Sequence, residues 1–460
     1  MKVLIICTGS RGDAEPFAAL AARLLQTADD DVDENDINNN SVDFFIQPEL
    51  KSLAPIHENL TIHELPYTQF DFYKYTDTNK VANHKNERVR FVGIVAEIIA
   101  ALCLPCWVSV YNIAKECDVM VTSALSRSLC FAMSQKLGIP TVLVHLQSLV
   151  PTNLFPHYSS VDDCVEAILN LNGNNGEPLA TVSEGDEYSN MYWMFERYQL
   201  EFTQEALDEM YDRMDLKPRM DFETVQRMLS GNDDRVIIAN CMNDGLVPQV
   251  TDAGPGVHQI GPLADHYVPV DFEPPGGLVS FLSSDNHPAA RPICIGFGSM
   301  PYSQVSLILD ALREVDRKAV WVGNALELSL LPTNDNNREW VKTNVCHVSS
   351  IPYAWLLPQC QMMICHGGAG VVNATLRAGI PIVISPYMGD QFFHAELCRA
   401  KGLGTRAGQS LGKATKEDFV MAIHEATSCT SVAREFGEMS RSKSTGVDNL
   451  VALMDSIVNS

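Results

Sequence analysis

One imidazole set in a run of small residues, His366-Gly367-Gly368-Ala369-Gly370, follows the apolar stretch Met362 to Cys365 and precedes the segment Val371 to Ala378. Small residues at such a turn let the backbone N–H groups of a helix start approach a ligand. Those unpaired donors, with the helix dipole, favour an anion. A phosphate suits that chemistry. His366 could donate to it, and outside its glycine context would read as a core histidine. Asp390-Gln391, after Gly389, could bond hydroxyl groups or cap a helix over Phe392 to Lys401. Asp13 closes the loop Thr8-Gly9-Ser10-Arg11-Gly12-Asp13. It could border a ligand crevice at the end of the first strand, or be a solvated residue in the first turn of the following helix.

These residues need elements to hold them. Lys2 to Cys7 reads as a buried parallel strand, and the glycine loop after it leads into a helix over Ala14 to Gln26. Met362 to Cys365 and Ile382 to Ser385 are apolar runs too short for helices and bounded by Gly and Pro, and Gly379 sits where a helix would stop. Thr141 to Val144 is another strand. Pro292-Ile293-Cys294-Ile295-Gly296-Phe297-Gly298-Ser299 repeats the strand, glycine, serine pattern of Val3 to Ser10. Two such openings in one chain suit an α/β protein of two facing Rossmann-like domains with mostly parallel sheets. Eight prolines between Pro248 and Pro292 mark the connection. We therefore place a first domain over 1–245, a linker over 246–291, a second domain over 292–445 and a terminal helix over 446–460.

A chain of 460 residues fits two cores better than one. A net charge of −24 argues against nucleic acid and against electrostatic docking on anionic lipid, so at most peripheral membrane contact is expected. Thirteen cysteines lie without a CxxC pair or a Cys/His ligand spacing, and no basic region with a cleavable apolar segment opens the chain. Both point to reduced thiols and a cytoplasmic location. The sequons at Asn39 and Asn59 then read as chance. Six acids in the eight residues Asp29 to Asp36 read as a solvated insertion rather than a cation loop. Phe91 to Ala114 is the longest apolar region, but Glu97 and Pro105 favour a buried helix or helix pair over a membrane span, serving as a wall of an acceptor pocket.

The motifs in combination resemble those of inverting glycosyltransferases with the GT-B fold, in the UDP-glycosyltransferase superfamily. The likeness is greatest to the sterol glucosyltransferases and antibiotic-aglycone glycosyltransferases, whose typical strings are HGGAGT with a later GDQ, and GSRGDVQP near the start. That resemblance implies Asp13 as the catalytic base. Plant small-molecule glycosyltransferases use a histidine there, with a helper aspartate at a position that here falls near Ser123. It also implies a donor diphosphate held by Ser10, Arg11, Gly12, Ser299, His366, Gly368, Ala369, Gly370 and Val371. Ser350, Ile351 and Tyr353 would lie at the nucleobase, and Asp390 and Gln391 at the sugar. Val371 replaces the usual threonine, and Tyr353-Ala354 the usual His-Asp pair. Segment 145–157 resembles a post-strand loop near the acceptor, which brings in His145, Gln147 and Phe155, with His157 as a further candidate. The implied activity is transfer of a hexose, glucose from UDP-glucose, to a hydroxyl of a lipophilic small molecule such as a sterol. No metal and no cofactor is implied beyond the UDP-sugar co-substrate. A UDP-amino-sugar epimerase and a non-catalytic nucleotide-sugar binder are the alternatives on the same fold.

Overall fold

The structure is a computed structural model that describes residues 1–26, 40–68, 105–173, 188–264, 266–269, 272–283, 291–298, 305–323 and 335–459. Ser299, nearly all of the acidic insertion and residues 91–104 of the long apolar region lie outside the described residues.

Two sheets carry the chain. The front one comprises β1 (Lys2–Ile6), β2 (Ser41–Ile46), β3 (Leu60–Glu64), β4 (Val119–Ser123), β5 (Thr141–His145), β6 (Val236–Asn240) and β7 (Val257–Gln259), in the order β3-β2-β1-β4-β5-β6-β7. The rear one comprises β8 (Ile293–Gly296), β9 (Ala319–Val322), β10 (Val345–Val348), β11 (Met362–Cys365), β12 (Ile382–Ile384) and β13 (Gly404–Arg406), in the order β10-β9-β8-β11-β12-β13. Pairing is parallel throughout. Each sheet reverses direction beside its first strand, β1/β4 in front and β8/β11 behind. Such a switch point opens a crevice beyond the strands' carboxyl ends. Strands such as Val-Met-Val-Thr-Ser in β4 are buried along their whole length because helices cover both faces.

The helices are α1 (Arg11–Leu25), α2 (105–114), α3 (Arg127–Leu137), α4 (Val161–Gly173), α5 (Ser189–Met214), α6 (Phe222–Leu229), α7 (Gly276–Ser283), α8 (Val305–Glu314), α9 (Asp335–Asn344), α10 (Tyr353–Leu356), α11 (Ala369–Ala378), α12 (Gln391–Ala400), α13 (Lys416–Ser428), α14 (Thr430–Arg441) and α15 (Gly446–Val458). Helix α1 begins three residues earlier than its apolar pattern indicates, because Ser10 caps it and Asp13 bonds back to that cap. Within α2, Cys106, Val110 and Ala114 are buried at helical spacing in the front core. Among the described residues no helix is long and apolar enough to cross a membrane.

The lobes are joined twice. Phe155, Cys164 and Ile168 of the front lobe share one apolar cluster with Phe393 and Leu397 of the rear. The end of the chain returns to the front lobe, where Val447, Leu450 and Met454 of α15 pack with Phe17, Leu20 and Leu24 of α1. Arg23 Nε meets Asp448 Oδ1 at 2.7 Å beside that contact. The crevices at the two switch points are held face to face by these two seams.

Candidate active site

The front wall is the turn from β1 into α1. Asp13 Oδ2 accepts from Ser10 N–H at 2.7 Å and from Ser10 Oγ at 3.0 Å. The carboxylate therefore folds back over its own helix start, leaving Oδ1 outside these two bonds. Gly9 makes room for that fold: its φ is +141°, and a Cβ there would lie 2.4 Å from Oδ2. Gln47 clamps the glycine from the other side, Oε1 accepting from Gly9 N–H at 3.1 Å and Nε2 donating to Gly9 O at 2.7 Å. Asp13 is half-buried rather than solvated. Burial pushes its pKa above the usual carboxylate value, Ser10 pulls it back, and the charge of Asp390 pushes it up again.

Ser10 thus gives its hydroxyl to Asp13. Arg11 and Gly12 lie exposed on the first turn of α1, with Arg11 3.8 Å from Glu15. Ser123 is buried, its Oγ 2.9 Å from Ser126 Oγ, and Ser126 Oγ donates to Ile6 O at 2.9 Å. Position 123 thus offers a buried hydroxyl rather than a carboxylate.

The rear wall is the turn from β11 into α11. Gly368 caps α11 without a side-chain bond, and the first helical bond runs from Val372 N–H to Gly368 O at 3.1 Å. The N–H groups of Ala369, Gly370 and Val371 precede it and point out of the helix start. The His366 ring lies between two glycines: a Cβ on Gly298 would meet its Cε1 at 3.2 Å, and one on Gly368 its Nε2 at 2.7 Å. Burial, with His394 beside it, pushes the His366 pKa down to about 4. The imidazole is therefore neutral at physiological pH, with one N–H to donate, and its buried Nδ1 has no hydrogen-bond partner among the described residues. Val371 is buried in the shared apolar cluster.

Asp390 and Gln391 stand apart in role. Asp390 makes no side-chain cap bond to α12. Burial pushes its pKa up, opposed by His394, whose Nδ1 lies 3.8 Å from Asp390 Oδ2. The same Nδ1 donates to Gly367 O at 2.8 Å, which ties the glycine loop to α12. Gln391 is buried, and its Oε1 accepts from Tyr387 N–H at 2.8 Å and Met388 N–H at 3.0 Å. Its carbonyl is committed to the loop, so only its amide NH2 can meet a sugar.

Of the residues expected at the base, Ser350 is exposed, and Ile351 has its side chain in the apolar cluster. Only the Ile351 backbone can read a ligand. Tyr353 opens α10 and turns its hydroxyl toward Gly296, where a Cβ would lie 2.2 Å away.

Phe155 is wholly buried in the apolar cluster that the two lobes share. His157 is buried against Phe195, ring centroids 4.5 Å apart, and its Nδ1 lies 2.9 Å from Ser159 Oγ. Its role is packing. Gln147 is half-buried. His145, at the carboxyl end of β5, is 1% exposed with neither ring nitrogen partnered among the described residues, and burial with nearby Arg127 pushes its pKa down to about 3. Sequence reasoning missed the group behind it: Arg127 of α3 is buried and bonded to Glu196 and Gln199 of α5. Nothing in the local sequence marks a pair separated by 69 positions. Among the described residues, no group of three or more His, Cys, Asp or Glu side chains is placed to hold a metal ion.

Two switch-point crevices, one offering a carboxylate and the other a glycine-rich helix start, give the chain the GT-B fold, which it shares with solved glycosyltransferases. Similar solved structures include the spinosyn rhamnosyltransferase SpnG, at TM-score 0.62 and 18% identity over 100% of both chains. Another is Phytolacca americana UGT2 with UDP-2fluoro-glucose and pterostilbene, at TM-score 0.62 and 14% identity over 100% of both chains. The family described as erythromycin biosynthesis protein CIII-like, C-terminal domain, matches residues 306–445. In sequence, the chain is a relative of the sterol 3-beta-glucosyltransferases: it is 24% identical to one from Arabidopsis thaliana over 88% of this chain and 59% of that one. It is 22% identical to one from Komagataella phaffii over 96% of this chain and 33% of that one. The chain thus spans less than two thirds of the length of either relative.

Proposed function

We propose that the protein is an inverting, metal-independent glycosyltransferase that moves glucose from UDP-glucose to a hydroxyl of a lipophilic small molecule such as a sterol. The observation that carries this reading is the Asp13 carboxylate, held by Ser10 and near enough to Asp390 of the opposite lobe to feel its charge. In the reaction, Asp13 takes the acceptor's hydroxyl proton as the oxygen attacks the anomeric carbon. The bond from that carbon to the diphosphate breaks on the opposite face, which inverts the centre. A carboxylate is a weak base toward an alcohol, and a raised pKa improves its match to the task. The departing diphosphate gathers charge in front of the α11 N–H groups and the neutral His366, fixed dipoles that need no rearrangement as the charge develops. Asp390 and the Gln391 amide face the sugar. The relatives' printed names, sterol 3-beta-glucosyltransferase, support glucose and a sterol-like acceptor.

The experiment is incubation with labelled UDP-glucose and a panel of lipophilic alcohols, with Asp13→Asn as control. A glycosylated alcohol is expected from the wild-type protein, and the variant should bind donor but transfer nothing. Epimerised nucleotide sugar, or donor binding with no product, would replace this reading by one of the two alternatives on the same fold. Undiminished transfer by Asp13→Asn would remove Asp13 from the mechanism.

A further inference from the structure

The nucleotide-binding reading leaves one donor short. Position 371, where the related string has a threonine hydroxyl, carries only the methyl groups of valine. On the same face of the rear sheet another hydroxyl has moved in. Cys294 and Gly296, two apart on β8, point to the side where Val371 and Tyr353 pack. Gly296 pairs with Cys365, the last residue of β11 before His366. The Tyr353 hydroxyl lies over that last pair, where a Cβ on Gly296 would come within 2.2 Å of its oxygen and 3.4 Å of its Cζ. It therefore stands where the two glycine loops of the rear lobe begin. The described residues form no hydrogen bond to it. Cys294 and Cys365 act on it electrostatically, and so do Glu15 and Arg11 of the front lobe. The residue expected at the nucleobase thus has its side-chain oxygen beside the strand end that leads into the His366 loop.

We propose that the Tyr353 hydroxyl donates a hydrogen bond to the diphosphate of the bound nucleotide sugar and so replaces the hydroxyl that Val371 lacks. The inference rests on the donor reading given above. Burial among Cys294 and Cys365 keeps the phenol protonated well past its ordinary pKa, so it meets the phosphate as a donor. Glycine at 296 is what admits it, since any side chain there would collide with the phenol oxygen.

The test measures UDP and uridine binding to the wild-type protein, Tyr353→Phe and the double variant Tyr353→Phe/Val371→Thr. The phenylalanine keeps the ring packing, and thermal melting checks the fold. Losing a hydrogen bond to a charged group should weaken UDP about tenfold or more, with uridine affinity unchanged. The threonine should recover most of the loss, which a purely structural role for Tyr353 would not allow. Equal weakening of UDP and uridine would place Tyr353 at the base and overturn the proposal, as would unchanged UDP affinity. No UDP binding by the wild-type protein would sink the donor reading itself, and this inference with it.

Discussion

The carboxylate of Asp390 raises the proton affinity of Asp13, although the two belong to different lobes. One sits at a helix cap after β1, the other before α12, and the interlobe seams bring them to a common crevice. The acid side of the reaction should report that relationship. A base works only when ionised, and burial and Asp390 both push the Asp13 pKa upward, so kcat/KM should fall as pH drops through that raised value. Asp390→Asn removes a negative neighbour and should move this limb to lower pH. A pH-rate profile with an unmoved limb would separate the two carboxylates.

Gly9→Ala should be far more damaging to turnover than to donor binding. The added Cβ would lie 2.4 Å from Asp13 Oδ2, at a backbone angle that side chains rarely adopt. Displacing a reacting group by about 1 Å can cost roughly a hundredfold in rate. Single-turnover kinetics beside UDP titration should find kcat reduced on that order with UDP affinity near wild type.

His394→Ala should loosen the glycine loop. The variant removes the bond to Gly367 O and leaves that carbonyl buried without its donor. A penalty of about 1–3 kcal/mol follows for an unsatisfied buried group. UDP affinity and melting temperature should both drop, and a variant with both unchanged would show that α11 does not depend on α12.

Arg127→Ala should destabilise the front lobe by about 3–5 kcal/mol, the range for breaking a buried ion pair from one side. Glu196, half-buried, would lose its partner. Arg127→Ala/Glu196→Ala should therefore cost less than the sum of the two single changes in denaturant unfolding.

Leu450→Ala on α15 should cost about 2–5 kcal/mol, since the side chain is wholly buried against α1. Asp448→Asn, whose partner Arg23 is well exposed, should cost under about 1 kcal/mol. The two measurements distinguish apolar docking of the terminal helix from its salt bridge.

Much of the architecture is local information. Apolar runs such as Lys2 to Ile6 and Met362 to Cys365, each ended by glycine and followed by helical spacing, already dictate strand, turn and helix, because burial on both faces demands continuous apolar character. The glycine-rich helix start at Gly368 is equally local, since its unpaired donors are backbone groups. Other features depend on contacts made across the chain. That His157 and Phe155 pack while Asp13 is half-buried could not be read from type. Neither could Tyr353, whose hydroxyl finds its place only because Gly296, 57 positions earlier, has no Cβ. By itself the sequence determined which segments become strands, helices and glycine turns, through periodicity and glycine placement. The tertiary structure alone decided which polar groups are desolvated and which face one another, because proton affinity and reach depend on neighbours that folding brings from the opposite lobe.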